Sequence, residues 1–331
     1  MNYLIAGPCA AETHEQVMQT AAALKGYADI FRAGIWKPRT SPDTFQGIGD
    51  EGLKWLQEVK ATTGMDVATE VSTPEQVHQA LAAGIDYLWI GARSSANPIL
   101  VQHVADAIAT SAQTPKGVWV KNPVNEDAEL WAGNIHRLLE AQTSSHPFAI
   151  WAIHRGCNHH PCWRMAHRLR MLCPNIPLVM DPSHMSGKSD HIASLCCAAQ
   201  TLGYEGLMTE VHICPAEAWS DAQQQITPQA WCDILHQLPG LAQPDDRELL
   251  WLRKEIDEVD ERLWDALADR MEVCRQIGQH KREKHLPVVQ PDRYQFILER
   301  RLEWAKQQGL DPQTVGEIMH LIHNESIRVQ S

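Results

Sequence analysis

Four residues far apart in the chain, Cys9, His184, Glu210 and Asp221, are of types that hold divalent metal ions. A thiolate, an imidazole and two carboxylates together suit a borderline ion such as Mn, Fe, Co or Zn. Taken singly, each has a plain reading: Cys9 as a small core hydrophobe, His184 as a loop histidine. A second set is cationic: Arg32, Lys37, Arg39, Arg93, Lys121 and Arg155. A lone arginine is ordinarily solvated or paired, but this many cations at one place imply bound phosphate or carboxylate groups. Arginine grips such groups with two parallel hydrogen bonds.

What brings these residues to one place is a repeated element. Eight short apolar runs in the first 215 residues each end in a reactive polar residue. YLIAGPC ends at Cys9, DIFRAGIWKPR at Lys37 and Arg39, and VATEV carries Glu70. YLWIGAR ends at Arg93, GVWVK at Lys121, and FAIWAIHR at His154 and Arg155. PLVMDPSH ends at Asp181 and His184, and LMTEVH at Glu210 and His212. Near-continuous apolar runs read as parallel strands buried on both faces. Helical stretches are expected between them at 15–25, 51–62, 74–83, 98–111, 128–141, 162–172, 188–202 and 215–221. Several open on a capping residue followed by Pro or Glu, as at Ser72-Thr73-Pro74-Glu75. The fold class is therefore α/β, a (β/α)8 (TIM) barrel with its chemistry at the C-terminal strand ends.

Composition limits the classes. A net charge of −12 argues against a general nucleic-acid binder. No apolar run approaches the roughly 20 residues of a membrane span. The nine cysteines are scattered, with no zinc-type pair and no disulfide framework, so a reduced, cytoplasmic setting is expected. The cluster Cys157, His159, His160, Cys162 is read as a polar loop, because ligands this close beside Pro161 would strain tetrahedral geometry.

The barrel is expected over 1–240, a Pro-, Gly- and Asp-punctuated linker over 241–247, and an all-α domain over 248–331. Leu249, Leu252, Ile256, Val259, Leu263, Leu267, Cys274 and Ile277 step by three, four or seven along a first long helix. A second helix is expected from about Asp292 to Gln308 and a third from near Pro312. Three helices in so few residues do not easily bury their own stripes, so this domain is expected to dimerise. Arg270 and Lys281 fall on the first helix's inward stripe, Arg293 faces inward on the second, and Ser326 and Gln330 continue a stripe on the third. Snorkelling would explain one such cation. Polar groups from three helices aimed at one interior imply an anionic ligand.

The motifs AGPC at 6–9, KPRTS at 37–41, GAR at 91–93, KNP at 121–123, HRG at 154–156, DPSH at 181–184, GLMTEVH at 206–212 and SD at 220–221 occur in order. Over about 1–240 the chain strongly resembles 3-deoxy-D-arabino-heptulosonate 7-phosphate (DAHP) synthase of type I, with a β-like branch. It departs from that branch in having VKNP where LKRG is frequent. The resemblance implies that Cys9, His184, Glu210 and Asp221 ligate the divalent metal. It implies further that Arg93, Lys121 and Arg155 hold the phosphate of phosphoenolpyruvate, that Arg32 and Lys37 take its carboxylate, and that Arg39, Thr40 and Ser41 receive erythrose 4-phosphate. Synthases of 3-deoxy-octulosonate 8-phosphate carry KANRSS-like residues at the KPRTS position, so the four-carbon aldose is favoured. Lys37 is placed to protonate the new alkoxide, and its pKa is expected to be depressed in a dry cationic site.

Over about 248–331 the line LRKEIDEVDERL, then ADR, IGQHK, PV, DR and ESIRVQ, resembles an AroQ-type chorismate mutase. That resemblance implies substrate contacts from Arg253 (of a partner subunit), Arg270, Lys281, Arg293, Ser326 and Gln330, with Lys281 and Gln330 on the ether oxygen. Two departures stand out: Tyr294 and Gln290 occupy positions where the family has Glu and Asp. They imply weakened recognition of the ring hydroxyl, and Gln330 is expected near a frayed end. The whole reads as a bifunctional shikimate-pathway enzyme, at least a homodimer through the mutase domain, with that domain sensing prephenate or an aromatic end product. A non-catalytic sensor and dimerisation module is the alternative for the helical part.

Overall fold

The computed structural model describes residues 1–38, 41, 43–143, 146–238 and 246–330. Eight strands follow one another around a closed parallel barrel. They are β1 Tyr3–Gly7, β2 Ile30–Arg32, β3 Asp66–Glu70, β4 Tyr87–Ile90, β5 Gly117–Lys121, β6 Ala149–His154, β7 Leu178–Met180 and β8 Gly206–Glu210. The register pairs Trp89 with Trp119 and Trp119 with Trp151, so three indoles from neighbouring strands share one layer. Their rings stack at centroid distances of 6.4 and 5.5 Å, each pair 11° from parallel. This layer fills the barrel interior with Ile5, Ile153, Val179 and Met208, as a closed eight-stranded barrel requires. At Gly7, with φ +150°, an added Cβ would lie 2.1 Å from the Arg32 carbonyl oxygen, so only glycine lets β1 and β2 approach there.

The helices outside are α1 His14–Leu24, α2 Glu51–Thr63, α3 Pro74–Ala82, α4 Ala92–Ser95, α5 Pro98–Thr110, α6 Ala128–Ala141, α7 Trp163–Leu172, α8 Pro182–Ser186, α9 Ile192–Leu202 and α10 Pro228–Gln237. Side-chain oxygens of Thr13, Thr73, Asn97, Asp127 and Thr227 accept the first free amides of five of them. The stretch 215–221 is not the α-helix its sequence suggested. Two 3₁₀ turns, Pro215–Glu217 and Ala222–Gln224, flank Asp221, which sits in the left-handed region at φ 52°. The helix after β8 is α10 instead, opened by Thr227 and Pro228.

Residues 241–245 of the expected linker lie outside the described residues. Asp246 accepts from the Leu249 amide at 2.9 Å, and Arg247 is already helical. The chain divides into two compact units, Met1–Glu255 and Ile256–Ser331. The first turns of α11 Arg247–Glu283 thus belong with the barrel. Trp251 is buried there, donates to the Leu202 carbonyl at 3.3 Å and stacks on His167. His167 also pairs with Glu248 and Glu255, one helical turn to either side of Trp251. The apolar period runs unbroken through this junction, which is why the sequence shows no boundary inside the helix. The second unit holds the rest of α11 with α12 Pro291–Gln307 and α13 Pro312–Gln330.

Candidate active sites

The sequence D-P-S-H at 181–184 builds one corner of the first site. Asp181 caps α8, with Oδ1 accepting from the His184 amide at 3.1 Å and lying 3.0 Å from His184 Nδ1. One carboxylate therefore fixes both the helix start and the imidazole, whose Nε2 lies 3.6 Å from Glu210 Oε1. The other oxygen of Asp181 accepts from Lys121 Nζ at 2.6 Å. Across the barrel mouth, Cys9 Sγ lies 3.0 Å from Asp221 Oδ2 and 3.2 Å from Lys37 Nζ. Gln225 Oε1 accepts from the Cys9 amide, and Gln224 donates to Glu210 Oε2 at 2.7 Å. The predicted metal residues thus approach in two pairs. A thiol, an imidazole and two carboxylates, the imidazole oriented by Asp181, are a donor set that fits a borderline divalent ion.

Arg32 is 1% exposed. Its guanidinium donates to Glu210 Oε1 at 3.2 Å and to the Cys9 carbonyl at 3.0 Å, and lies 4.7 Å over the Trp89 ring. The aromatic layer is thus the floor beneath the charged site. Above it opens a cavity of about 310 Å³, lined by Arg32, Lys37, Arg93, Lys121, Arg155, His184 and Asp221 among others. Ser41 is exposed and outside that lining, while Arg39 and Thr40 lie outside the described residues. Glu70, Asn158, His159 and Gln224 also line the cavity, and none was among the predicted site residues. Glu70 was visible as a strand-end carboxylate. Asn158 and His159 sit in the Cys157–Cys162 loop, with φ of 49° and 64°. Gln224 carried no signal in the sequence.

Burial shapes the charges. Burial and Glu210 push the Cys9 thiol up to about 12. Burial would raise Glu210, yet His184, Arg32 and Lys37 hold it below its ordinary range. Lys121 is lowered, chiefly by burial. Lys37 corrects the expectation of a depressed lysine. Burial pulls it down, but Cys9, Glu70 and Glu210 outweigh burial and raise it. The cations around Lys37 are apparent in the sequence, whereas the carboxylates of Glu70 and Glu210 come to face it only in the fold.

A second cavity of about 250 Å³ lies within the helical unit. Arg270, Cys274, Ile277 and Lys281 line it from α11, Arg293, Tyr294 and Ile297 from α12, and Met319, His323, Ser326 and Gln330 from α13. Arg270 donates to Ser326 Oγ at 2.5 Å, and Lys281 Nζ to Gln330 Oε1 at 3.0 Å. A Cβ on Gly278 would lie 2.7 Å from Gln330 Cα, so glycine permits the close approach of α13 to α11. Gln330 is buried and its carbonyl accepts from Arg282 at 2.6 Å, so it is pinned rather than frayed. Arg253 is exposed on α11 in the first unit and is not part of this lining.

Comparison with known proteins matches the same two parts. Residues 2–243 match the DAHP synthetase I family, and residues 252–331 match chorismate mutase type II. The chain is 28% identical over 256 residues to a phospho-2-dehydro-3-deoxyheptonate aldolase of Thermotoga maritima, covering 72% of this chain and 69% of that protein. It is 30% identical to a 2-dehydro-3-deoxyphosphooctonate aldolase of Methylobacillus flagellatus, covering 69% and 85%. A crystal structure of the Thermotoga maritima heptonate aldolase (DAHP synthase) superposes with a TM-score of 0.61 at 26% identity, over 72% of this chain and 68% of that one. With its barrel closed around one charged mouth and a cationic cavity in the helices that follow, the chain belongs to the DAHP synthetase I family and carries a type II chorismate mutase domain, two enzymes in one polypeptide.

Proposed function

We propose that the barrel condenses phosphoenolpyruvate with D-erythrose 4-phosphate and water to give DAHP and phosphate, and that the helical unit rearranges chorismate to prephenate. The observation that carries the first reaction is the convergence of Arg32, Lys37, Arg93, Lys121 and Arg155 on one cavity with His184 and Asp221. Arg93, Lys121 and Arg155 hold the phosphate, Arg32 and Lys37 the carboxylate, and Arg39, Thr40 and Ser41 the aldose phosphate. Cys9, His184, Glu210 and Asp221 would hold a divalent ion of the Mn, Fe, Co or Zn class, which would supply Lewis-acid polarisation of the aldehyde. C3 of phosphoenolpyruvate attacks the aldehyde carbon, water adds at C2, and phosphate leaves. Lys37 stays protonated, which suits it to give a proton to the new alkoxide oxygen.

Relatives of both heptonate and octonate type share the barrel. The KPRTS run at 37–41 supports the four-carbon aldose. Assaying phosphoenolpyruvate loss with four-carbon and five-carbon aldose phosphates tests this: preference for the five-carbon sugar would overturn it.

In the helical unit, Arg270 and Arg293 hold the two carboxylates, with Ser326 beside Arg270. Lys281 and Gln330 hold the ether oxygen as its C–O bond breaks. The gain comes from orientation and electrostatics alone. Leu252, Ile256, Val259 and Leu263 form an exposed seam on α11, stepping by three and four residues. A second copy of the chain covers this seam and brings the partner subunit's Arg253 to the cavity. The same unit senses prephenate and inhibits the barrel, through unequal affinity for two arrangements of the chain. The reading of this unit as a non-catalytic sensor draws on Tyr294 and Gln290, both of which line the cavity. Chorismate loss catalysed by the full chain separates the two. The free cysteines support a reducing, cytoplasmic setting, and no helix among the described residues is long and apolar enough to cross a membrane.

A further inference from the structure

The walls of the helical cavity differ in chemistry. One side carries Arg270, Lys281, Ser326 and Gln330, all hydrogen-bonded in pairs. The other carries Tyr294 of α12 against His323 of α13, ring centroids 3.8 Å apart and 17° from parallel. The Tyr294 hydroxyl is engaged by Nδ1 of His320, one helical turn before His323. The hydroxyl is therefore occupied, while the Tyr294 ring serves as a flat support. The His323 side chain makes no hydrogen bond to another described residue, yet it lines the cavity. Its ring is held by stacking and its nitrogens keep their capacity to donate or accept.

Chorismate offers two carboxylates, an ether oxygen and one ring hydroxyl. The guanidinium groups suit the carboxylates, and Lys281 with Gln330 suits the ether oxygen. The hydroxyl is the polar group left over. A hydroxyl carried into a closed site needs a partner there. We propose that His323 is the substrate-binding residue that receives the ring hydroxyl, with Tyr294 and His320 as the residues that position its imidazole. The proposal rests on the reading of this cavity as the chorismate site. Burial, His320 and Arg270 lower the pKa of His323, so the imidazole is neutral at pH 7 and can accept from the hydroxyl among surrounding cations. Where a carboxylate in this place would also attract Arg270 and Arg293, a neutral imidazole recognises the hydroxyl and leaves those cations to the ligand's acids.

The test uses the full-length chain and two ligands: chorismate, and a dicarboxylate analogue lacking the ring hydroxyl. Both are titrated against the native protein, His323→Ala, His323→Gln and Gln290→Ala, and chorismate turnover is followed in parallel. His323→Ala is expected to weaken chorismate binding and kcat/KM by about 10- to 100-fold, the range of a hydrogen bond left unmade. It should leave the deoxy analogue's affinity within about twofold, and His323→Gln should recover part of the loss. Equal losses for both ligands would make His323 a packing residue and overturn the proposal. So would a loss of hydroxyl discrimination in Gln290→Ala and not in His323→Ala. Native protein that binds both ligands but does not turn chorismate over would sink the mutase reading, while the binding comparison still decides on His323. Helical circular dichroism and thermal unfolding of each preparation report on folding of the helical unit.

Discussion

Trp251 stacks on His167 with 5.6 Å between ring centroids and 14° between planes, and this pair fastens the first turns of α11 to the barrel. Trp163 and Tyr204 complete the seat around the indole. Replacing Trp251 with Ala should destabilise the barrel by about 3–5 kcal/mol, the usual cost of emptying a buried indole site. Thermal unfolding of the full chain, read against synthase activity, checks this. A chain ending after residue 246 should lose solubility, and one ending after Glu255 should keep it. Equal behaviour of the two would show that the α11 turns are not part of the barrel.

His154 gives a pH prediction. It is fully buried with Nδ1 2.7 Å from the Tyr204 hydroxyl, and burial lowers its pKa from 6.5 to about 3. Between those values the unfolded chain binds a proton that the folded chain does not. The stability contribution is therefore intact above pH 6.5 and is lost as pH falls toward 3, by at most about 1.4 kcal/mol per pH unit. Denaturant unfolding of native and His154→Gln proteins from pH 7 to 4 should show a shallower decline in the variant. Parallel curves would contradict the assignment.

Lys121 and Asp181 are both buried, 2.6 Å apart. Lys121→Met removes a predicted phosphate contact and strips Asp181 of one cation. Breaking such a pair costs about 3–5 kcal/mol. Loss of synthase activity should therefore come with a lower Tm, and an unchanged Tm would show that Asp181 is satisfied by His184 alone.

Arg32 rests on Trp89, and a desolvated cation–π contact contributes about 2 kcal/mol. Trp89→Leu should raise the KM for phosphoenolpyruvate by about tenfold, with Trp89→Phe intermediate. Steady-state kinetics on the three proteins decide it. No difference in KM would mean that Glu210 and the Cys9 carbonyl suffice to place Arg32.

The barrel was legible because each buried strand writes itself as an apolar run with a polar residue after it. Cys9, Lys121 and His184 stand after such runs, and the fold brings them to the barrel mouth. The 215–221 stretch misled because Pro215 and the acidic residues resemble a helix start, whereas Asp221 adopts a left-handed backbone that no propensity shows. The barrel's claim on Trp251 was invisible because an amphipathic period records only one face of a helix, and Trp251 packs from another. The raised pKa of Lys37 depends on groups from three separate segments, Cys9, Glu70 and Glu210, whose distances exist only in the fold.

Phosphoenolpyruvate consumption by the full-length chain, measured with erythrose 4-phosphate before and after EDTA and then with prephenate, bears most directly on the bifunctional reading. Consumption should require the aldose phosphate, stop with EDTA, return on adding a divalent ion, and fall when prephenate is present. Consumption that needs no aldose phosphate, or that EDTA leaves untouched, would contradict it.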